Sequence, residues 1–474
     1  SPRPSPDGSR LAWLAWDLPA MPWEAAELWV GQIAENGAII EAVRIAGGPE
    51  GGAFQPEWAE DGALYFAAPN GDWGNLHVWR DGVVQPVARL EAEFARPLWS
   101  LGMSSYAVLE PGRLSAVCWR DGRAELGIAD EKTGAWTPLN SGFTRIDDLA
   151  AGPEFVAING SDDEAPGRVH LIARDASAFQ PANREETPVL AAGDVSHARI
   201  LAFQSGGSEA RALFYPPASE RFAGPNGSLP PLIVSAHGGP TSMARRGFAL
   251  DRQYWTTRGF AFLDVDYRGS SGYGLTFQRA LDGLWGEADS QDAIAAVEHA
   301  IGEGLCDPNR IVIRGSSAGG LTVLNALIGS RRFAAGASYY GVTDLTRLAA
   351  DTHKFESGYL DSLIGGIPAD IPEIYAARSP VNHAERITAP VIFFQGLDDK
   401  VVPPEQSRAM VSSLKARGIA VASFEFAGEG HGFRKSDTVI TALEAELSFY
   451  ARILGLEAGE DLAEFEIDNF GDGR

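Results

Sequence analysis

Two cysteines, Cys118 and Cys306, are all that 474 residues provide, so no disulfide framework can hold this chain together and buried apolar surface must do so. Long apolar runs are missing as well. No stretch approaches the ~20 residues that cross a bilayer, and a membrane-spanning helix is not expected. Basic residues are scarce: 39 Lys and Arg stand against 63 Asp and Glu, a formal charge of −24. Pairing with phosphates needs a basic face, so nucleic acid is excluded as a partner. No H-E-x-x-H or similar ligand spacing occurs, and neither a metal nor a cofactor is called for. The opening "SPRPSPDGSR" has no initiator Met and no apolar signal region. It fits a cytoplasmic protein, and also a chain begun by processing of a longer one.

What is present is ordinary globular material, 45% apolar and 22% charged, in a chain long enough for more than one core. Ten of the twelve Trp residues precede residue 140, which marks a change of architecture. The first part repeats a unit: "SPDGSRLAWLAW", "PEWAEDGALYFAAPNG", "PGRLSAVCWRDGRAELGIAD" and, more weakly, "PEFVAINGSDDEAPGRVHLIARD". Each pairs short apolar strands around Asp-Gly or Asn-Gly, the strongest short hairpin signal. A period of about 45 residues fits four-stranded propeller blades, with a β-sandwich as the alternative. Residues 1–190 are read as about four blades.

After the Gly/Pro/Ser cluster "SERFAGPNGSLPP" the pattern changes. Short continuous apolar runs ("LIVSAHGG", "GFAFLDVDYRG", "RIVIRGSS", "PVIFFQGLDD") alternate with helical stretches such as "DSQDAIAAVEHAIGEG". That alternation means a largely parallel sheet covered by helices on both faces. Residues 191–455 are assigned to this α/β domain, and 456–474 to an acidic tail expected to be solvated or loosely packed.

The chemistry starts at Gly315-Ser316-Ser317-Ala318-Gly319. G-x-S-x-G between a strand and a helix is the context of a nucleophile elbow, with Ser317 as the exposed hydroxyl and Ser316 at a variable position. A Ser hydroxyl needs a base to take its proton, and the base needs a carboxylate to orient it. "GLDDKVVP" offers Asp398 and Asp399 after one strand, and "GEGHGF" offers His431 after the next. Spacing does not choose between the two acids. His299 and His383 fall in predicted helices, and His353 precedes the acid in the chain. The developing oxyanion needs N–H donors: Ala318, after the nucleophile, gives one, and the loop "AHGGP" can give another.

"HGGP", "DYRGSSGYG", "GSSAGG", "GLDDKVVPPEQS" and "GEGHGF", in this order over about the last 260 residues, resemble the prolyl oligopeptidase family of serine peptidases. Within it, "HGGP" resembles the acylaminoacyl-peptidase and aminopeptidase branch. The resemblance implies an α/β-hydrolase domain with an N-terminal β-propeller, Asp398 as the triad acid and Gly239 as the second oxyanion donor. It implies hydrolysis of short peptides or aminoacyl amides through an acyl-enzyme, releasing an N-terminal or N-acylated residue. An esterase or amidase using the same triad is the alternative, and a catalytically silent scaffold the third reading. Lys400 stands where the family often has Arg or Asn. Tyr339 and Tyr340 could wall a substrate pocket, and Glu356 or Glu24 could meet a substrate ammonium. Because the family ring has more blades, an N-terminal fragment or a second chain completing the propeller is also implied.

Overall fold

The computed structural model describes residues 2–152, 154–174, 179–182, 190–457, 462 and 464–471. The chain divides into two compact units: Ser1–Leu190 with Arg245–Leu250 and Ser271–Arg279, and Ala191–Ala244 with Asp251–Ser270 and Ala280–Arg474.

The first unit contains four successive four-stranded antiparallel sheets, the blades of a β-propeller. Their strands are Arg3–Pro4, Arg10–Ala15, Glu27–Ile33 and Ile39–Gly47 (β1–β4), then Phe54–Trp58, Leu64–Asn70, Trp73–Arg80 and Val83–Pro86 (β5–β8). Tyr106–Glu110, Arg113–Arg120, Arg123–Asp130 and Ala135–Pro138 (β9–β12) make the third. Arg145–Ala151, Phe155–Ser161, Arg168–Ala173 and Phe179–Pro181 (β13–β16) make the fourth. The Asp-Gly pairs do what their backbones favour. Asp81 and Gly82 take φ of 48° and 84°, and Asp121 and Gly122 take 50° and 68°. Two successive left-handed residues make the tight turn whose twist matches a hairpin, so Arg80 pairs Val83 and Arg120 pairs Arg123. The aromatic residues are packing material. Tyr65, Phe94 and Tyr106 share one buried cluster, and Arg10 lies over the rings of Trp58 and Trp79 at 5.0 and 5.4 Å.

The second unit is built on an eight-stranded sheet. Its strands are Arg199–Ser205 (β17), Ser208–Tyr215 (β18), Leu232–Ala236 (β19), Ala261–Asp266 (β20), Ile311–Ser316 (β21), Ala335–Tyr339 (β22), Val391–Gly396 (β23) and Val421–Phe426 (β24). Their order is β17-β18-β20-β19-β21-β22-β23-β24. The first two pairings are antiparallel and all later ones parallel. Every residue of β20 and β23 is buried, as strands covered on both faces require. This is the α/β-hydrolase sheet. Its parallel strands end on one edge, and the loops leaving that edge carry the chemistry.

The acidic tail departs from expectation. Ile467 is buried, Leu462, Phe465 and Phe470 pack on the core of this unit, and Asp468 exchanges both backbone hydrogen bonds with Val421 of β24. Apolar residues in "LAEFEIDNF" outweigh its charge, and Lys415 pairs with Asp468 at 2.6 Å. The rest of the tail, 458–461, 463 and 472–474, lies outside the described residues.

Candidate active site

β21 runs straight into the turn at Ser317, and the helix Ala318–Gly329 starts at the next residue. Ser317 takes φ 55° and ψ −119°, a strained conformation for a residue with a Cβ. Neighbouring backbone fixes it: Ser317 N–H donates to Tyr339 O at 2.9 Å, and Gly320 N–H donates to Ser317 O at 2.9 Å. The two framing glycines are sterically demanded. A Cβ at Gly319 would lie 2.1 Å from Ala236 O, and one at Gly315 would lie 2.4 Å from Gly319 O. The turn is that tight because the end of β19 and the helix start pass in close backbone approach.

His431 stands between two flanking glycines after β24. Its Nε2 lies 2.8 Å from Ser317 Oγ and its Nδ1 2.8 Å from Asp399 Oδ2. The acid on the imidazole is therefore Asp399, not Asp398. The turn after β23 decides this. Asp399 Oδ1 accepts from the N–H groups of Val401 and Val402, both at 2.9 Å, which aims its fully covered carboxylate inward. Asp398 faces solvent, and its own N–H is tied to Glu429 O at 2.9 Å. The member of the acidic pair that the family resemblance implies, Asp398, does not touch the imidazole.

The other expected site residues divide. Gly238 rather than Gly239 packs against the nucleophile: a Cβ there would be 3.5 Å from Ser317 Cβ, while Gly239, at φ 124°, crowds Thr241 instead. Among the described residues no acceptor takes the N–H of Gly239 or Ala318. Tyr340 takes φ 38°, and its ring meets the His431 ring edge-on at 5.0 Å. Tyr339 is buried, stacks on Phe394 at 4.5 Å and donates its hydroxyl to Glu446 at 2.6 Å. Burial, reinforced by Glu446, holds that phenol well above its ordinary value. Glu356 lies on the short turn Lys354–Glu356. Burial pushes its carboxyl up, and the nearby charges of His353 and His431 act against that rise. Lys400 is exposed. Glu24 belongs to the first unit, where it closes a helix start by accepting from Met21 N–H at 2.8 Å.

Several supporting residues were not singled out in the sequence. His237, inside "AHGGP", is partly buried between Tyr267, whose ring stacks on it at 4.2 Å, and Ser270, 2.7 Å from its Nε2. Tyr359 accepts from Thr241 N–H at 3.1 Å and lies 2.6 Å from its hydroxyl, pinning the same loop. Beneath the elbow Glu446, fully buried, receives Arg314 Nε at 3.0 Å as well as the Tyr339 hydroxyl. Its signal was present: an acid on the apolar stripe of the last helix has to be paired. Among the described residues no cluster of His, Cys, Asp and Glu could hold a metal, and no helix is long and apolar enough to cross a membrane.

A solved puromycin hydrolase aligns over 96% of this chain and 69% of its own, with a TM-score of 0.92 and 38% identity. The structure of a Mycobacterium tuberculosis puromycin-hydrolyzing peptidase aligns over 96% and 70%, with a TM-score of 0.92 and 37% identity. The dipeptidyl peptidase family member 6 of Caenorhabditis elegans is 33% identical over 210 residues, 43% of this chain. That match spans only 28% of the worm protein's length. The family model described as the prolyl oligopeptidase family matches residues 246–457, which contain the strained serine, its imidazole and the acid behind it. On these matches and that fold, the chain belongs to the prolyl oligopeptidase family.

Proposed function

We propose that this chain is a serine peptidase that cleaves short peptides or aminoacyl amides through an acyl-enzyme. The observation that carries this reading is the continuous relay from Asp399 through His431 to Ser317, with both contacts at 2.8 Å. In acylation Ser317 Oγ bonds to the substrate carbonyl carbon while His431 Nε2 takes its proton. The proton then passes to the leaving nitrogen as the C–N bond breaks. Water, deprotonated by the same imidazole, attacks the ester and returns Ser317 with its proton. Asp399 holds the ring in place and stabilises its charged form. The N–H groups of Ala318 and Gly239 serve as oxyanion donors, each worth ~2.7–4 kcal/mol at such a site. The activities of the named relatives, hydrolysis of puromycin among them, support a free or blocked aminoacyl group on the acyl side.

Within that class we assign the free amino terminus as the preferred one, with Glu356 as the carboxylate that meets its ammonium. Glu356 shares the electrostatic field of His431, and a desolvated carboxyl gains most from a cation. Because its pKa is raised, the charged form that binds ammonium accumulates only as pH climbs through that raised value, and KM falls over the same interval. A panel of aminoacyl, acetyl-aminoacyl and simple ester chromogenic substrates tests both assignments. Glu356→Gln raises KM for the free amine about tenfold or more and leaves the acetylated substrate unchanged. Equal effects on both remove Glu356 from this role, and ester turnover without amide turnover favours an esterase.

A further inference from the structure

The second unit holds a cavity of about 370 Å³ walled by the helices Leu250–Thr256 and Ser436–Leu454. It adjoins the reacting atoms without containing them. Ser316 and Gly238 line it; the first is the nucleophile's chain neighbour and the second packs against the nucleophile's Cβ. Tyr340 and Phe433 also line it, with ring centroids 5.2 Å apart, and Tyr340 stands against the His431 imidazole. The imidazole delivers its proton to the departing nitrogen, so whatever leaves must lie on the side its ring serves.

The charge pattern of the cavity narrows its occupant. Arg252 gives its guanidinium to Asp264 at 2.5 Å, and Arg314 gives its own to Glu446. Both cations are spent on internal partners, so neither is free to attract an anionic ligand. Phe262, Tyr340, Phe433, Val439 and Leu443 give it flat and aliphatic walls, beside the polar side chains of Ser235, His237 and Asp251. A volume in the range of small-molecule sites, lined by rings, suits a bulky planar group.

We propose that this cavity is the leaving-group pocket and that it selects large aryl or heteroaryl amines as the group released. The proposal rests on the acyl-enzyme reading and adds to it the identity of the second half of the substrate. No new bond is involved: the scissile C–N bond, the proton from His431 and the released amine are those of acylation.

The test holds one aminoacyl group constant and varies what leaves, from ammonia through 4-nitroaniline to 2-naphthylamine. Val439, 39% exposed at the helix Ser436–Leu454, is replaced by Trp to fill the cavity, and Leu443 by Ala to enlarge it. For Val439→Trp, kcat/KM for the naphthylamide falls at least about tenfold while the simple amide stays within about twofold. Leu443→Ala moves the ratio of the two substrates the opposite way. Equal losses across all leaving groups, or discrimination that follows the acyl side chain when the leaving group is fixed, overturn the proposal. Turnover of the simple amide by the unaltered enzyme reports separately on the acyl-enzyme reading, so failure of one is distinguishable from failure of the other.

Discussion

Asp399 Oδ2 lies 2.8 Å from His431 Nδ1, while its neighbour Asp398 points into solvent. Two adjacent carboxylates of identical chemistry thus have unlike environments, and exchanging each for its amide separates their roles. Asp399→Asn keeps the ring in place, but a neutral amide favours the wrong tautomer and cannot stabilise the imidazolium, and kcat falls by about 10⁴-fold. Asp398→Asn changes kcat less than about threefold, as a surface substitution should. Steady-state kinetics on a chromogenic aminoacyl amide read both, and a larger loss for Asp398→Asn would reverse the assignment.

Gly319 has no room for a side chain, since its Cβ would lie 2.1 Å from the carbonyl oxygen of Ala236. Gly319→Ala forces β19 and the elbow apart. The expected cost is about 1–3 kcal/mol, visible as a lowered denaturant midpoint together with a loss of kcat, because the same displacement moves Ser317. Gly304 has open space around it, and although its φ of 66° strains an Ala there, Gly304→Ala leaves kcat unchanged. It is the control for backbone strain remote from the elbow.

Asp289, fully buried on the helix Ala288–Gly302, accepts from Thr322 Oγ1 on the nucleophile helix at 2.5 Å and from Gly286 N–H at 2.7 Å. Burial outweighs those bonds and pushes its pKa up to about 6. The folded state therefore holds this proton more tightly than the unfolded chain. The group's contribution to stability is best below the unfolded carboxyl value and is lost as pH rises through about 6, by up to roughly 3 kcal/mol. Asp289→Asn, which cannot ionise, removes that segment of the pH dependence. Urea midpoints of both proteins between pH 4 and 7 check it, and parallel curves would contradict it.

The sequence displayed the elbow clearly because its signal is local: a strand, glycines at two before and two after, and a helix start all lie within one short window. The hairpins were legible for the same reason, since Asp81-Gly82 and Asp121-Gly122 carry their own turn geometry. What escaped was set by tertiary detail. Which of Asp398 and Asp399 turns inward depends on the N–H groups of Val401 and Val402, and nothing in two adjacent Asp letters encodes that. The tail was misjudged because net charge hid its apolar Leu462, Phe465 and Ile467. Tyr339 lines the cavity beside the elbow, but that its hydroxyl also serves Glu446, 107 positions away, has no local signal.

The most direct test of the account is covalent. An irreversible serine-directed sulfonyl fluoride, followed by peptide mass spectrometry, should place one adduct on Ser317 and abolish turnover in proportion to labelling. Ser317→Ala should take up no label, show no turnover and keep its unfolding midpoint, whereas Ser316→Ala should label and turn over normally. An adduct on Ser316, or turnover surviving in Ser317→Ala, would contradict the assignment of Ser317 as the nucleophile.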